Sequence, residues 1–289
     1  MVTSQDDLTA RAIEVVEKSL APHIPRQDPV DGYSVVASFT KGPLKDLEVG
    51  RLRLTREGGA FTGKTKDRET VLHVLVGKCD ITIESPNKQV FHDLGDRRDL
   101  FSGPSTSLIL SPGTVYSVVP STRTVDLAIA SIPAQYGRRE PLVIRPSDVE
   151  VHIIGEGSHQ REVREVFGGE RAPYRIRIGE TINPPGHWSS WPKHDFEYDM
   201  SLAPQFEEVF LYFTKPRAGW GLQRVAGCYV NGETVDDVWV VKNGDAGVIP
   251  LGDHPVVGSP DTTLLYIWFY VSPIPKVYSK WAEDYGGYA

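Results

Sequence analysis

The chain opens with one helical pattern and then changes character. Leu8, Ala12, Val16 and Leu20 recur every four residues, the spacing of one helix face, so a helix is expected over Asp6–Leu20. Ser4 and Asp7 can form its capping box and Pro22 ends it. Beyond Pro22 the apolar residues come in short or alternating runs broken by Gly, Pro, Asn and Asp, which is the strand pattern. The runs predict strands at Ser34–Phe39, Glu48–Leu54, Thr70–Val76, Asp80–Glu84, Thr106–Leu110, Val115–Val119 and Thr124–Ile132. A second set follows at Val149–Ile154, Tyr174–Thr181, Glu208–Phe213, Gly221–Val225, Cys228–Val230, Val238–Val241, Ala246–Ile249 and Leu264–Val271.

Many short strands with frequent turn signals predict sandwiches or barrels. The two sets also echo each other. Leu75–Val76–Gly77–Lys78 followed by Leu110–Ser111–Pro112–Gly113 parallels the later run into Ile249–Pro250–Leu251–Gly252, which suggests an internal duplication. The expectation is an all-β bicupin: two double-stranded jelly-roll barrels behind a short N-terminal helix. The Pro- and Arg-rich stretch from Pro133 to Pro146 connects them. One barrel is assigned to residues 1–140 and the other to 141–289.

Composition narrows the class. With 289 residues the chain can bury two cores. The 27 glycines and 22 prolines are spread out, as turns are and a disordered block is not. A formal charge of −7 argues against nucleic-acid binding, which favours basic stripes. No apolar run is long enough to span a membrane and no secretory leader is evident, so a cytoplasmic protein that handles a small molecule is expected. Cys79 and Cys228 fall in different predicted barrels and read as free thiols.

The chemistry concentrates in the second half. Glu208, Phe210 and Tyr212 share one strand face, and a glutamate pointing into a barrel is costly unless paired or bound to metal. His254 follows a Pro–x–Gly turn that can aim it across a barrel mouth, and His194 follows a Trp–Pro break. Together they suit a divalent Zn, Mn, Fe or Ni ion. Taken singly, each of the three is more often a core or surface residue; the coincidence of all three favours the metal. In the first half His73 has no glutamate and later histidine to complete such a set, so that barrel reads as metal-free, structural or dimer-forming.

The segments GETINPPGHWSSWP, KHD, EEVFLYF, GLQRV and PLGDHPV resemble the 5-deoxy-glucuronate isomerase family of bacterial inositol catabolism. In the first half RET (Arg68–Thr70) and SGPSTSLILSPGT (Ser102–Thr114) also resemble it. The resemblance implies a two-cupin enzyme with a metal in the second barrel that interconverts an aldehyde uronate and its 2-keto form. His194 matches the second histidine of the family's His-x-His pair. Pro192 stands where the first would be, leaving His194, Glu208 and His254, with His187 as first choice for a fourth ligand. Tyr212 is the candidate proton shuttle, although a non-ligating carboxylate or a metal-bound hydroxide could serve. Arg224, Arg161 and Lys193 are candidates for the substrate carboxylate. The lost histidine keeps two other classes in play: a cupin dioxygenase or lyase, and a non-catalytic sugar-binding cupin. A homo-oligomer acting on a small sugar acid is expected, with no nucleic-acid or membrane partner.

Overall fold

The computed structural model describes residues 23–26, 31–40, 44–134, 137–167, 175–191, 194–195, 207–228, 234–249, 252–271 and 280–281. Among them the regular structure is strand, apart from two short 3-10 turns. The helix expected at Asp6–Leu20 lies outside the described residues, as does the Pro250–Leu251 part of the turn before His254.

Every strand pairing is antiparallel. The first barrel is a six-stranded sheet facing a four-stranded one. The large sheet runs Leu142–Ile144, Ser107–Leu110, Arg68–Val76, Thr124–Pro133, Glu48–Thr55, Gly32–Ala37, and the small one Phe61–Lys64, Val115–Pro120, Cys79–Ser85, Gln89–Leu94. The second barrel repeats the plan. Its seven-stranded sheet runs His23–Ile24, Ala246–Ile249, Glu207–Lys215, Thr263–Val271, Ile176–Asn183, Arg161–Phe167, Glu150–Ile154. Its four-stranded sheet runs Trp188–Ser189, Val256–Gly258, Trp220–Cys228, Thr234–Lys242. This is an all-β bicupin.

Two strands move the expected boundary near residue 140. Leu142–Ile144 still pairs with the first large sheet, so the change of barrel falls between Ile144 and Glu150. His23–Ile24 pairs with Ala246–Gly247 of the second. Several strands were illegible. Phe61–Lys64 is short and mostly polar, Gln89–Leu94 is half polar, and Arg161–Phe167 carries charges at four of seven positions, so none shows clean alternation. The expected break before Cys228 does not occur: Trp220–Cys228 is one strand that passes through Ala226–Gly227.

Alternation along the central strands builds three cores. In Arg68–Val76, Leu72 and Val74 fill the first barrel, while Val71 and Leu75 face the other way. In Glu207–Lys215, Phe210 and Tyr212 fill the second barrel, while Val209, Leu211 and Phe213 face out. The outward faces of the two large sheets meet and share one apolar core. Each fully buried aliphatic side chain there contributes roughly 1.5–3 kcal/mol, so the barrels are welded rather than tethered.

A buried charge cluster crosses that weld. Glu180 lies 2.6 Å from Arg97, 3.1 Å from Arg164 and 3.0 Å from His73 Nε2. Both arginines also donate to the Gly103 carbonyl, at 3.2 and 2.7 Å. Burial would raise the Glu180 carboxyl, but Arg97, His73 and Arg164 hold it down at about 2. His73 thus does receive a glutamate, from the other half of the chain, and the cluster is structural.

Candidate active site in the second barrel

The strand Glu207–Lys215 separates two adjacent glutamates. Glu207 faces the weld, where its carboxylate accepts the backbone N–H groups of Lys45, Asp46 and Leu47 at 2.7–3.0 Å. Glu208 faces the barrel interior. It is buried, and burial pushes its carboxyl up to about 8. Its Oε2 has no hydrogen-bond partner among the described residues and lies 3.6 Å from His254 Nε2, which is also buried. His254 Nδ1 donates to the Gly252 carbonyl at 2.8 Å, and that bond turns Nε2 and its lone pair toward Glu208. The Phe210 ring packs edge-on against the imidazole at 5.8 Å.

A carboxylate oxygen and an imidazole nitrogen converging in a dry barrel, with the oxygen lacking a donor, is the donor chemistry of a divalent transition-metal site. Glu208 and His254 fit such an ion. His194 begins a two-residue strand paired with Lys280–Trp281; its side chain lies outside the described residues, as does Lys193.

The structure does not bring His187 to this pair. Its Nδ1 bonds the Gln160 carbonyl at 2.8 Å, and no group of three donor atoms within 4.8 Å among the described residues includes it. The one such group among the described residues, Glu150, His152 and Glu165, spans the edge strand and its neighbour and is exposed or half-exposed, where acidic residues gather without an ion.

Tyr212 is placed for support rather than proton transfer. It is fully buried, and its hydroxyl donates to Gln223 Oε1 at 3.0 Å. Burial, with Tyr266, Glu208 and Asp245 nearby, raises the phenol well above its ordinary value. Gln223 Nε2 in turn donates to the His254 carbonyl at 2.7 Å. Tyr212 and Gln223 therefore hold the His254 backbone.

The expected carboxylate-binding residues are dispersed. Arg224 points away from the interior, because Gln223 and Val225 on either side point in. It makes a two-pronged ion pair with exposed Asp236 at 2.7 and 2.8 Å. Arg161 is buried at the far end of the barrel wall, beside Tyr266, and donates to the His159 carbonyl at 3.0 Å. The neighbouring Glu162 pairs with Ile182, five residues along the strand from Arg177, or about 16 Å.

Arg177 is the guanidinium that sequence reasoning missed. Arg177 and Glu208 both pair with Tyr270, one from each side, so all three lie in one row on the interior face. Arg177 is fully buried. Burial raises the Tyr270 phenol, Arg177 lowers it, and Glu208 and Glu165 raise it. A further signal was present in sequence: Gly179, beside Arg177, is required because a Cβ there would lie 2.0 Å from the Trp268 ring. Trp268 stacks on Tyr270 with centroids 5.5 Å apart, so the glycine admits the aromatic wall of the site.

The profile of the KduI/IolB family matches residues 32–286. The chain belongs to the KduI/IolB family. A 5-deoxy-glucuronate isomerase of Geobacillus kaustophilus is 30% identical over 220 residues, covering 75% of this chain and 77% of its own. The enzyme of the same name from Lacticaseibacillus casei is 26% identical over 250 residues, covering 84% and 88%. As a family member the chain is an enzyme of the isomerase class. The crystal structure of an IolB-like protein from Salmonella typhimurium superposes with a TM-score of 0.82 at 23% identity, covering 92% of this chain and 99% of that one. An oxalate decarboxylase of Lactobacillus farciminis superposes at 0.59 and 12% identity, over 88% and 86%. These structural likenesses establish the fold alone, since one fold hosts many activities.

No helix among the described residues is long and apolar enough to cross a membrane.

Proposed function

We propose that this chain is a metal-dependent isomerase that interconverts the aldehyde and 2-keto forms of a deoxy-uronate of the 5-deoxy-glucuronate type. It would act in the breakdown of inositol-derived sugar acids in the cytoplasm. The observation that carries the reading is the Glu208–His254 pair: two buried donor atoms 3.6 Å apart, one of them without a hydrogen-bond partner. Their family relatives are sugar-acid isomerases.

Glu208 and His254 would hold a divalent ion, with His194 as the third protein ligand. Such an ion supplies Lewis-acid stabilisation of the negative charge that develops on the substrate's carbonyl oxygen. The chain's own residues do the rest. His254 is fixed in one tautomer by the Gly252 carbonyl, and its backbone is fixed by the Gln223 amide. Arg177, in the row of Glu208, provides the positive charge for the substrate carboxylate, whose burial beside it offsets the cost of a buried cation. Phe210, Tyr266 and Trp268 form an apolar wall around the reacting carbons and exclude water, which strengthens every charge interaction inside.

The test is turnover. The purified protein, loaded in turn with Zn, Mn, Fe or Ni, is mixed with 5-deoxy-glucuronate under nitrogen, and the aldehyde and keto forms are followed by NMR. Interconversion without oxygen supports the isomerase. Oxygen-dependent product or loss of carbon dioxide would replace it with dioxygenase or decarboxylase chemistry on the same scaffold.

A further inference from the structure

The isomerase reading leaves the proton unassigned, and Tyr212, sealed and committed to Gln223, does not carry it. The strand Thr234–Lys242 does offer a group. Val235, Trp239 and Val241 on that strand pack into the second barrel's core. Asp236, Val238 and Val240 face solvent, and Asp236 is committed to Arg224. Strand alternation therefore turns Asp237 inward. It is nonetheless exposed, as only an inward residue at the open mouth can be. Among the described residues the Asp237 side chain makes no hydrogen bond, ion pair or ring contact.

Its position is set by register. Asp237 pairs with Val225. The Ala226–Asp253 bridge and the Gln223–Val256 pair bracket the next strand, which places His254 opposite Val225. Asp237, Val225 and His254 thus form one inward row, with Asp237 two strand spacings from His254, about 10 Å between Cα atoms. That gap accommodates the two reacting carbons of a sugar acid with side chains reaching in from both ends. One inward position along, Trp239 has its indole N–H buried without an acceptor among the described residues, a second polar group beside the same gap.

We propose that Asp237 is the acid–base residue of the isomerisation, an inference that rests on the reading above. Its carboxylate takes the hydrogen on the carbon next to the aldehyde as a proton. The C–H electron pair becomes the carbon–carbon double bond, and the carbonyl π pair moves to its oxygen, which gains a proton. In the second half the neighbouring hydroxyl loses its proton and becomes the ketone. The double-bond pair moves to the former aldehyde carbon, which takes the proton from Asp237. One hydrogen moves between carbons and one between oxygens, so no oxidant or reductant is needed. Trp239 Nε1 donates to a substrate oxygen in both forms.

The experiment compares wild type, Asp237→Asn and Asp237→Glu on 5-deoxy-glucuronate in D2O. It reads kcat, KM, deuterium uptake at the product's new C–H, metal content and Tm. The expected result for Asp237→Asn is a loss of about a hundredfold or more in kcat, with KM within about threefold and metal content and Tm as in wild type, because the site is exposed and outside the core. Deuterium uptake falls in parallel, and Asp237→Glu recovers part of the rate. Asp237→Asn turning over within about threefold of wild type would overturn the assignment. Wild type that binds metal but does not convert the substrate would overturn the isomerase reading itself, and this inference with it.

Discussion

Glu208 and His254 meet 3.6 Å apart inside the second barrel, from opposite sheets. The two are distant in sequence, and what joins them is barrel closure. Strand alternation turns Glu208 in and Glu207 out, and the bond from Nδ1 to the Gly252 carbonyl aims the imidazole. The predictions below follow from that meeting and from the charges around it.

Glu208 in the metal-free protein is a buried carboxyl held at about 8 by burial, against an ordinary value of 4.5. A folded-state pKa raised above the unfolded value contributes stability that is present below 4.5 and lost as pH rises through 8. Metal-free wild type should lose thermal stability over that window. Glu208→Gln should lack this loss and be more stable at pH 8.5, by about 1–4 kcal/mol, while failing to retain metal. Melting curves from pH 5 to 9 check it; a parallel pH dependence in both proteins would contradict it.

His254→Ala should abolish metal retention and turnover together while the barrel stays folded. The imidazole packs on Phe210, so a modest fall in Tm is expected, of the size of a truncated side chain rather than of a lost core. Circular dichroism with metal analysis separates the two effects.

Glu180 bonds three partners across the weld, and removing it leaves nearly sealed Arg97 without this counter-ion and Arg164 with Glu162 alone. Glu180→Ala should cost about 3–5 kcal/mol in denaturant unfolding. The wild-type protein should also lose stability as pH falls from 4.5 toward 2, because the folded carboxyl titrates at about 2, below its unfolded value. Burial also lowers His73 from 6.5, which adds a loss below that pH in the same direction.

Arg224→Ala should change kcat, KM and stability little, by under about 1 kcal/mol, since it removes an exposed outward ion pair. Arg177→Ala should raise KM for the deoxy-uronate at least tenfold, and Arg177→Lys should recover only part, because an ammonium does not reproduce the two-pronged contact. Steady-state kinetics on the two positions side by side checks the assignment. A larger KM effect at Arg224 would reverse it.

The long, strongly apolar strands were legible because alternation and turn residues mark them directly, and so was the inward face of Glu208, Phe210 and Tyr212. The edge strands Phe61–Lys64 and Gln89–Leu94 and the charged inner strand Arg161–Phe167 were not, since a strand held by its neighbours' hydrogen bonds needs no apolar face of its own. At the site, Glu208 and His254 could be named from residue type and turn position. Arg177 and Asp237 could not: their roles come from which residue each one sits opposite, and register between distant strands is not written in local sequence. Arg224 misled for the same reason, one position from inward-facing Gln223. His73 found its glutamate 107 residues away, a contact made by packing one sheet on another.

The central claim is that Glu208 and His254 hold a divalent ion in the second barrel. Its most direct test is metal titration of the chelated protein, read by calorimetry and by metal analysis after desalting, for wild type, Glu208→Gln and His254→Ala, with His187→Ala as comparison. The account predicts one equivalent bound by wild type and by His187→Ala, and none retained by the other two. Metal retained equally by Glu208→Gln and His254→Ala, or none bound by wild type, would contradict it.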